Sequence, residues 1–234
     1  MLDGYSVING EAVFPEGITE IEDYAFGMCD DLKKVIIPEG IKSIGKYAFS
    51  LCKKLEKVSL SNSIKKIGAG AFRWCINLRE IIIPEGVKSI GECAFRYCEN
   101  IREITLPESV TQIGKNAFSG CISLREINIP KSVKSIGNSA FLECVDLKKV
   151  VIPENVISIG EFAFSQCENL KEINLPNSIK SIENYAFFNC INLENVILPN
   201  TVKIENNAFD GCAKLDKSCI PSEMSKPDGF MNLF

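Results

Sequence analysis

Cysteine thiols are the side chains in this sequence best placed to do chemistry, because nine of them recur at a fixed interval. Each follows a phenylalanine by three residues, and the interval is 23 residues except for the last, which is 22. A regular row of thiols could form disulfides, bind a metal ion, supply a nucleophile or fill a core. The nine are Cys29, Cys52, Cys75, Cys98, Cys121, Cys144, Cys167, Cys190 and Cys212.

Spacing and composition favour the packing role for this cysteine column. The Cβ atoms of a disulfide lie about 3.8 Å apart, whereas parallel side chains on adjacent repeats stay about 5 Å apart or more. Histidine is absent, which removes the commonest metal ligand and the commonest general base. We therefore predict that all nine thiols are reduced and buried as small apolar groups. Cys93 and Cys219 lie outside the column and are the more reactive candidates.

A catalytic site is not predicted. The many carboxylates recur with the repeat, so they spread along a ridge instead of converging in a pocket. No glycine-rich phosphate loop, nucleophile elbow or metal-binding motif is present. We predict no enzyme activity, no cofactor and no bound metal.

The interval of 23 residues is typical of a solenoid, in which each repeat buries its apolar face by stacking on its neighbours. Residues 78–98 show the template, L-x-x-[IV]-x-[IL]-P-x-x-[VI]-x-x-I-G-x-x-A-F-x-x-C. Ile81 and Ile83 alternate with an outward residue, which predicts a three-residue strand that Pro84 ends. Stacked in parallel, such strands form one long, narrow sheet.

The second half of the template predicts turns. The Ala-Phe pair is expected to begin a short helical or 3₁₀ turn, and the phenylalanines are expected to stack on one another in the core. A glycine that follows the second apolar pair suits a turn with positive φ. These glycines are Gly45, Gly68, Gly91, Gly114, Gly137 and Gly160.

The template resembles the BspA-like, or treponemal, class of leucine-rich repeats, most closely at residues 129–144 and 152–167. The resemblance implies an α/β-type leucine-rich-repeat solenoid that is right-handed and has about nine 23-residue repeats. It places short parallel strands on the concave face and short helical or 3₁₀ turns on the convex face. It also implies non-enzymatic binding, typically by surface proteins that adhere to host or matrix proteins. We divide the chain into an N-terminal cap segment (1–11), the solenoid (12–221) and a C-terminal cap or tail (222–234).

The concave face offers one candidate binding surface. The outward residue of each strand is apolar at Ile36, Ile82, Val151 and Ile197. Charged columns run beside this row, and the Arg-Glu neighbours of the middle repeats are expected to pair between columns. Two interpretations stay open: a solvated, self-neutralised edge, or a protein-binding strip with an apolar centre and charged rims.

The convex face offers a second candidate two residues after each phenylalanine. Local packing against the turns is one interpretation of these side chains. A partner-binding or self-association site is the other, because Trp, Tyr and Arg are enriched in binding hot spots. The candidates are Met28, Leu51, Trp74 and Tyr97, with Arg73 and Arg96 beside them.

Composition narrows the class of partner. A net charge of −4 with interspersed signs argues against nucleic acid as the partner, and no apolar run approaches the roughly 18 residues that a membrane span needs.

The two ends of the solenoid are predicted to have thin caps, so edge-to-edge homodimerisation is a further possibility. At the C-terminus, Phe230, Met231, Leu233 and Phe234 could fold over the last repeat.

We predict a protein-binding module of the adhesin type, at the cell surface or secreted, with an unidentified protein ligand. An intracellular scaffold or regulatory module is the alternative. Free thiols and an N-terminus without a signal peptide favour it, and imply a cytoplasmic location. A bare repeat array without a natural site is a third reading.

Overall fold

The computed structural model describes residues 4–216 together with Ser218 and Ile220, and it is built from short strands and turns. Strands of three residues are β1 (Ser6–Ile8), β2 (Glu11–Val13), β4 (Lys34–Ile36), β6 (Lys57–Ser59), β8 (Glu80–Ile82), β10 (Glu103–Thr105), β12 (Glu126–Asn128), β14 (Lys149–Val151), β16 (Glu172–Asn174) and β18 (Asn195–Ile197). Strands of two residues are β3 (Glu20–Ile21), β5 (Ser43–Ile44), β7 (Lys66–Ile67), β9 (Ser89–Ile90), β11 (Gln112–Ile113), β13 (Ser135–Ile136), β15 (Ser158–Ile159), β17 (Ser181–Ile182) and β19 (Lys203–Ile204).

From β2 onward the three-residue strands pair in parallel, as predicted, and their outer surface is here called the strand face. Each turn of the solenoid, or rung, pairs in register with the next, as Glu80 does with Glu103. The middle residue of β8 is buried while Glu80 and Ile82 are exposed, which is the predicted alternation. The sheet is not continuous, contrary to the prediction: it runs from β1 to β14, and β16 and β18 form a separate pair.

A second sheet consists of the nine odd-numbered strands from β3 to β19, and it was not predicted from the sequence. Each of its two-residue strands ends in an isoleucine, which a glycine follows in six of the nine strands, and these isoleucine side chains are buried in the core. Ile90, for example, pairs with Ile113 of the next rung. Two residues are too few to show an alternating pattern, so hydrophobic periodicity could not reveal this sheet.

The glycines after these strands serve close approach, and the prediction of positive φ for them was wrong. A Cβ added to Gly68 would lie 2.7 Å from the carbonyl carbon of Gly45 in the preceding rung. The nearest backbone atom is 2.6 Å away for Gly91 and 2.9 Å away for Gly137. Glu22, Glu183 and Glu205 occupy the equivalent position in the first rung and in the last two rungs.

The segments around each Ala-Phe pair are hydrogen-bonded turns, not the predicted helical turns. In the second rung, the N–H groups of Tyr47, Phe49 and Leu51 donate to carbonyl groups of the third rung over 2.7–2.9 Å. Tyr47 and Leu51 have φ values of 54° and 63°. Because a right-handed helix needs consecutive negative φ values, these left-handed residues prevent it and direct every second N–H to the next rung. We call this surface the turn face.

The phenylalanines stack along the core as predicted. Phe118 lies 5.5 Å from Phe95 and 5.4 Å from Phe141, measured between ring centroids, with nearly parallel planes.

At the N-terminal end of the stack, the rings of Tyr5 and Phe14 contact Phe26 edge-on, at centroid distances of 5.4 and 5.6 Å. The antiparallel β1–β2 hairpin thus covers the first rung. The C-terminal residues expected to form a cap (Phe230, Met231, Leu233 and Phe234) lie outside the described residues.

Candidate functional site

The cysteine column packs inside the solenoid, and each thiol has a specific partner. Eight of the nine, from Cys52 to Cys212, are buried. Each donates its S–H to the carbonyl oxygen of a phenylalanine in the preceding rung, as Cys98 does to Phe72 over 3.1 Å. Cys29 is only half-buried, so the prediction was wrong there. It belongs to the first rung, which has no preceding phenylalanine carbonyl of this kind to accept its S–H.

Burial disfavours ionisation of these thiols. Desolvation raises the pKa of Cys52 and Cys121 to about 12, although a backbone hydrogen bond to each sulfur opposes the rise. The same cause raises the pKa of Cys75 and Cys98 well above the ordinary thiol value. Among the described residues all cysteines are free. A buried, protonated thiol is stable in oxidising as well as reducing surroundings, so the column does not distinguish a secreted protein from an intracellular one.

Two further cysteines were singled out as reactive. Cys93 is half-buried, and its interaction with Arg96 contributes to raising the pKa of that guanidinium. Cys219 lies outside the described residues. The reactivity of both thiols stays a prediction.

The strand face exposes the four predicted apolar side chains. Ile36, Ile82, Val151 and Ile197 are 50%, 78%, 45% and 63% exposed. Polar residues lie between them on the intervening rungs, so they form four separated contacts and not one continuous patch. The intervening outward residues are Ser59, Thr105, Asn128 and Asn174.

Charge pairing beside this row differs from the prediction. The ion pairs run along one column, from Lys34 to Glu11 at 2.8 Å and from Lys57 to Glu80 at 3.7 Å. No arginine of the described chain forms an ion pair, so the expected Arg-Glu pairing between columns is absent there. Arg79 precedes β8 and Glu80 begins it, and adjacent residues of an extended chain point in different directions.

The candidate residues of the turn face all have left-handed backbones. Met28, Leu51, Trp74 and Tyr97 have φ values between 59° and 63°. Met28 is 72% exposed, while the other three are half-buried. Their N–H groups donate to the next rung, as Trp74 does to the carbonyl oxygen of Arg96 over 2.8 Å. The structure therefore aligns the four on neighbouring rungs.

Two of these residues contact each other, and one of the neighbouring arginines, Arg96, packs on Tyr97. The rings of Trp74 and Tyr97 lie 4.2 Å apart between centroids. The guanidinium carbon of Arg96 lies 4.8 Å from the Tyr97 centroid, and its Nη2 donates to the Tyr97 hydroxyl over 3.2 Å. Burial acts to lower the pKa of Arg96, but interactions with Tyr97 and Cys93 outweigh it and raise the pKa. The Nε atoms of Arg73 and Arg96 are buried without a hydrogen-bond partner.

A glycine explains where this row of large side chains ends. The Tyr97 ring leans toward the next rung, where a Cβ on Gly120 would lie 2.3 Å from Tyr97 Cδ1. Gly70 accommodates the Tyr47 ring in the same way, also at 2.3 Å. Both glycines have positive φ. Tyr47 and Tyr97 thus occupy space that a glycine one rung later leaves free.

The concavities are open and shallow, as the regular rungs predict. One of about 320 Å³ lies at the break between β14 and β16, lined by residues that include Val151, Glu172 and Asn174. In the described part of the chain, no group of three or more His, Cys, Asp or Glu residues could hold a metal ion. No helix in that part is long and apolar enough to span a membrane.

Comparison with known proteins places the repeat in a family. The family model described as "BspA type Leucine rich repeat region" matches residues 9–125 and 134–229, with six copies. No curated protein matches the chain.

Solved structures of similar proteins share the fold. A leucine-rich repeat protein of T. pallidum is 29% identical with a TM-score of 0.65, and the match covers 69% of this chain and 78% of that one. A Bacteroides ovatus leucine-rich repeat protein is 28% identical with a TM-score of 0.63, covering 88% and 55% of the two chains. The pneumococcal vaccine antigen PcpA is 27% identical with a TM-score of 0.59, covering 87% and 54%. The chain thus spans about half the length of the last two proteins.

Proposed function

Because the chain belongs to the BspA-type leucine-rich-repeat family, we propose that it is a non-catalytic module that binds another protein. The observation that carries the proposal is the exposed apolar row of the strand face, in which Ile82 is 78% and Ile197 is 63% exposed. Protein interfaces combine an apolar centre with a polar rim. The strand face offers this combination, since a charged column that contains Lys34, Lys57 and Glu80 runs beside the row.

The rigidity of the sheet supports binding through separated contacts. Adjacent paired strands lie about 4.8 Å apart, and the stacked rings of Phe72 and Phe95 beneath them are 5.4 Å apart between centroids. Ile36 and Ile82 are two rungs apart, and so are Val151 and Ile197. The backbone of these strands is held by pairing within the sheet that ends at β14 and within the β16–β18 pair, so little backbone entropy is lost when a partner covers these side chains. A partner with two pairs of apolar pockets at this spacing fits the row.

We further propose that the partner is a host or matrix protein and that the chain acts as an adhesin at a cell surface. The similarity to a pneumococcal vaccine antigen supports a surface role. Biotinylation of intact source cells tests the location. Labelling without lysis is expected, whereas protection until lysis would contradict the surface role and favour an intracellular binding module.

A fourfold variant and a threefold control variant test the strand face. The fourfold change Ile36→Ser, Ile82→Ser, Val151→Ser and Ile197→Ser removes the apolar row. The control changes Ile122, Ile157 and Ile191, which are 41%, 45% and 40% exposed elsewhere on the surface, to serine. Surface plasmon resonance on immobilised laminin and collagen, with albumin as the reference, should show a loss of about tenfold or more for the fourfold variant alone. An equal loss in both variants would contradict the proposed interface.

A further inference from the structure

We propose that Arg73, Trp74, Arg96 and Tyr97 form a second binding site, the turn-face site, for an acidic polypeptide segment. Carboxylate groups of that segment would pair with the two guanidinium groups, and its aliphatic parts would cover the Trp74 and Tyr97 rings. The turn-face site shares no residue with the apolar row of the strand face. The inference therefore stands independently of the function proposed above.

The backbone of the turn-face site is held in place before any partner binds. The carbonyl oxygen of Arg73 accepts the N–H of Leu51 over 2.7 Å, and that of Arg96 accepts the N–H of Trp74 over 2.8 Å. The N–H of Tyr97 in turn donates to Ser119 over 2.8 Å. Each residue is thus fixed to the rung before or after it, which lowers the entropic cost of binding.

The two guanidinium groups lack an acidic partner within the described part of the chain. Neither Arg73 nor Arg96 lies within 4.0 Å of a carboxylate oxygen there. Each also leaves its Nε–H without an acceptor. A rotation of the guanidinium group that presents Nε–H and Nη–H together to a carboxylate forms a bidentate pair. For Arg96 this pair replaces the hydrogen bond from Nη2 to the Tyr97 hydroxyl. Carboxylate is the side-chain group of a protein partner that matches this geometry.

The small size of the cationic surface distinguishes a short acidic segment from a nucleic acid or other long polyanion. Arg73 and Arg96 follow the phenylalanine of two neighbouring rungs, and the equivalent residues on either side are Ser50 and Ser119. Acidic residues also occur on the same rungs, including Glu92 and Glu99. A long polyanion needs a continuous basic surface. Two arginines beside a Trp–Tyr pair match the composition of a protein-binding hot spot.

The single tryptophan makes the turn-face site directly observable, because all tryptophan fluorescence of the protein comes from Trp74. The probe is a hexaglutamate peptide, titrated at low ionic strength, with hexaglutamine as the uncharged reference and heparin as the polyanion. We expect hexaglutamate to change the Trp74 emission saturably and hexaglutamine to leave it unchanged. No saturable response to hexaglutamate, or tighter binding of heparin than of hexaglutamate, would overturn the proposal.

Charge-matched variants locate the response. Arg73→Gln with Arg96→Gln should weaken hexaglutamate binding by about tenfold or more. Arg79→Gln with Arg102→Gln removes the same charge from two neighbouring rungs at the strand face and should change the affinity less than about twofold. Equal losses in the two double variants would overturn the proposal.

A lysine variant, Arg73→Lys with Arg96→Lys, keeps the charge and controls for misfolding. It should bind hexaglutamate more tightly than the glutamine variant does. The fourfold serine variant of the strand face should bind hexaglutamate as the unmodified chain does, so a failure of one proposal is separable from a failure of the other.

Discussion

The thiol of Cys75 donates a hydrogen bond to the carbonyl oxygen of Phe49 over 3.1 Å. The same oxygen also accepts the N–H of Cys52 over 3.3 Å. The Phe49 carbonyl therefore has two donors: the N–H from its own rung and the thiol from the next rung. This arrangement repeats from Cys52 to Cys212. Cysteine recurs because it fills a small apolar space and also joins successive rungs through a weak donor that alanine lacks.

Removal of one such thiol should destabilise the solenoid measurably. Cys121→Ala leaves a small cavity and takes one donor from the carbonyl oxygen of Phe95, so we expect the free energy of unfolding to fall by about 1–2 kcal/mol. Cys29→Ala is the control, because Cys29 is only half-buried. This substitution should lower the free energy of unfolding by less than about 0.5 kcal/mol. Urea unfolding followed by circular dichroism measures both. Equal losses would show that burial in the column is not the cause.

Stability should decrease in alkali because the buried thiols stay protonated while unfolded thiols ionise. Below the ordinary thiol pKa of 9.0 both states are protonated, and stability is fully present. Between that value and the folded pKa of about 12 for Cys52 and Cys121, only the unfolded state releases the proton. The free energy of unfolding therefore falls by about 1.4 kcal/mol per pH unit for each buried thiol.

The Cys121→Ala variant isolates this contribution from that of lysine and tyrosine ionisation, which is common to both proteins. Between pH 9 and 11 its free energy of unfolding should decline less steeply than that of the unmodified chain, by about 1.4 kcal/mol per pH unit. Urea unfolding at successive pH values gives the two slopes. Parallel slopes would mean that the buried thiol does not resist ionisation in the folded state.

Features that depend on the repeat interval could be predicted from the sequence. The stack of phenylalanines, the three-residue strands and the outward position of Ile82 all follow from a period of 23 residues combined with a strand period of two. The turn face could not be predicted in the same way. Tyr47 and Leu51 adopt left-handed φ values because their N–H groups reach the next rung, which is a property of the stack and not of the local sequence.

Pattern alone also could not assign the role of the recurring glycine. Positive φ and close backbone approach both require the absence of a Cβ, so the residue type is the same for either cause. The turn-face site shows a similar limit. The adjacency of Trp74 and Tyr97 follows from the interval, whereas the unpaired Nε atoms of Arg73 and Arg96 depend on side-chain conformations that no spacing specifies.

A methyl group at the close approach between rungs should be strongly destabilising. Gly68→Ala places a Cβ 2.7 Å from backbone carbon of Gly45, which cannot move without separating the rungs. We expect a loss of about 3 kcal/mol or more in the free energy of unfolding. Gly27→Ala is the control, since its nearest neighbour would be 3.4 Å away, and it should change stability by less than about 1 kcal/mol. If both variants unfold at the same urea concentration, the glycine is not required for close approach.

The packing of Tyr97 over Gly120 is open to an optical test. Gly120→Ala puts a Cβ 2.3 Å from Tyr97 Cδ1, so the Tyr97 ring must move away from the position in which it contacts Trp74. The backbone at Gly120 has a φ of 73°, so alanine adds strain of about 1–2 kcal/mol. Gly211→Ala carries the same strain, with a φ of 75°, at the equivalent position of the last rung, where the new methyl displaces Asn189 instead. Both variants should lose similar stability, but only Gly120→Ala should shift the emission maximum of Trp74. A shift in both, or in neither, would show that the Tyr97 ring does not set the environment of Trp74.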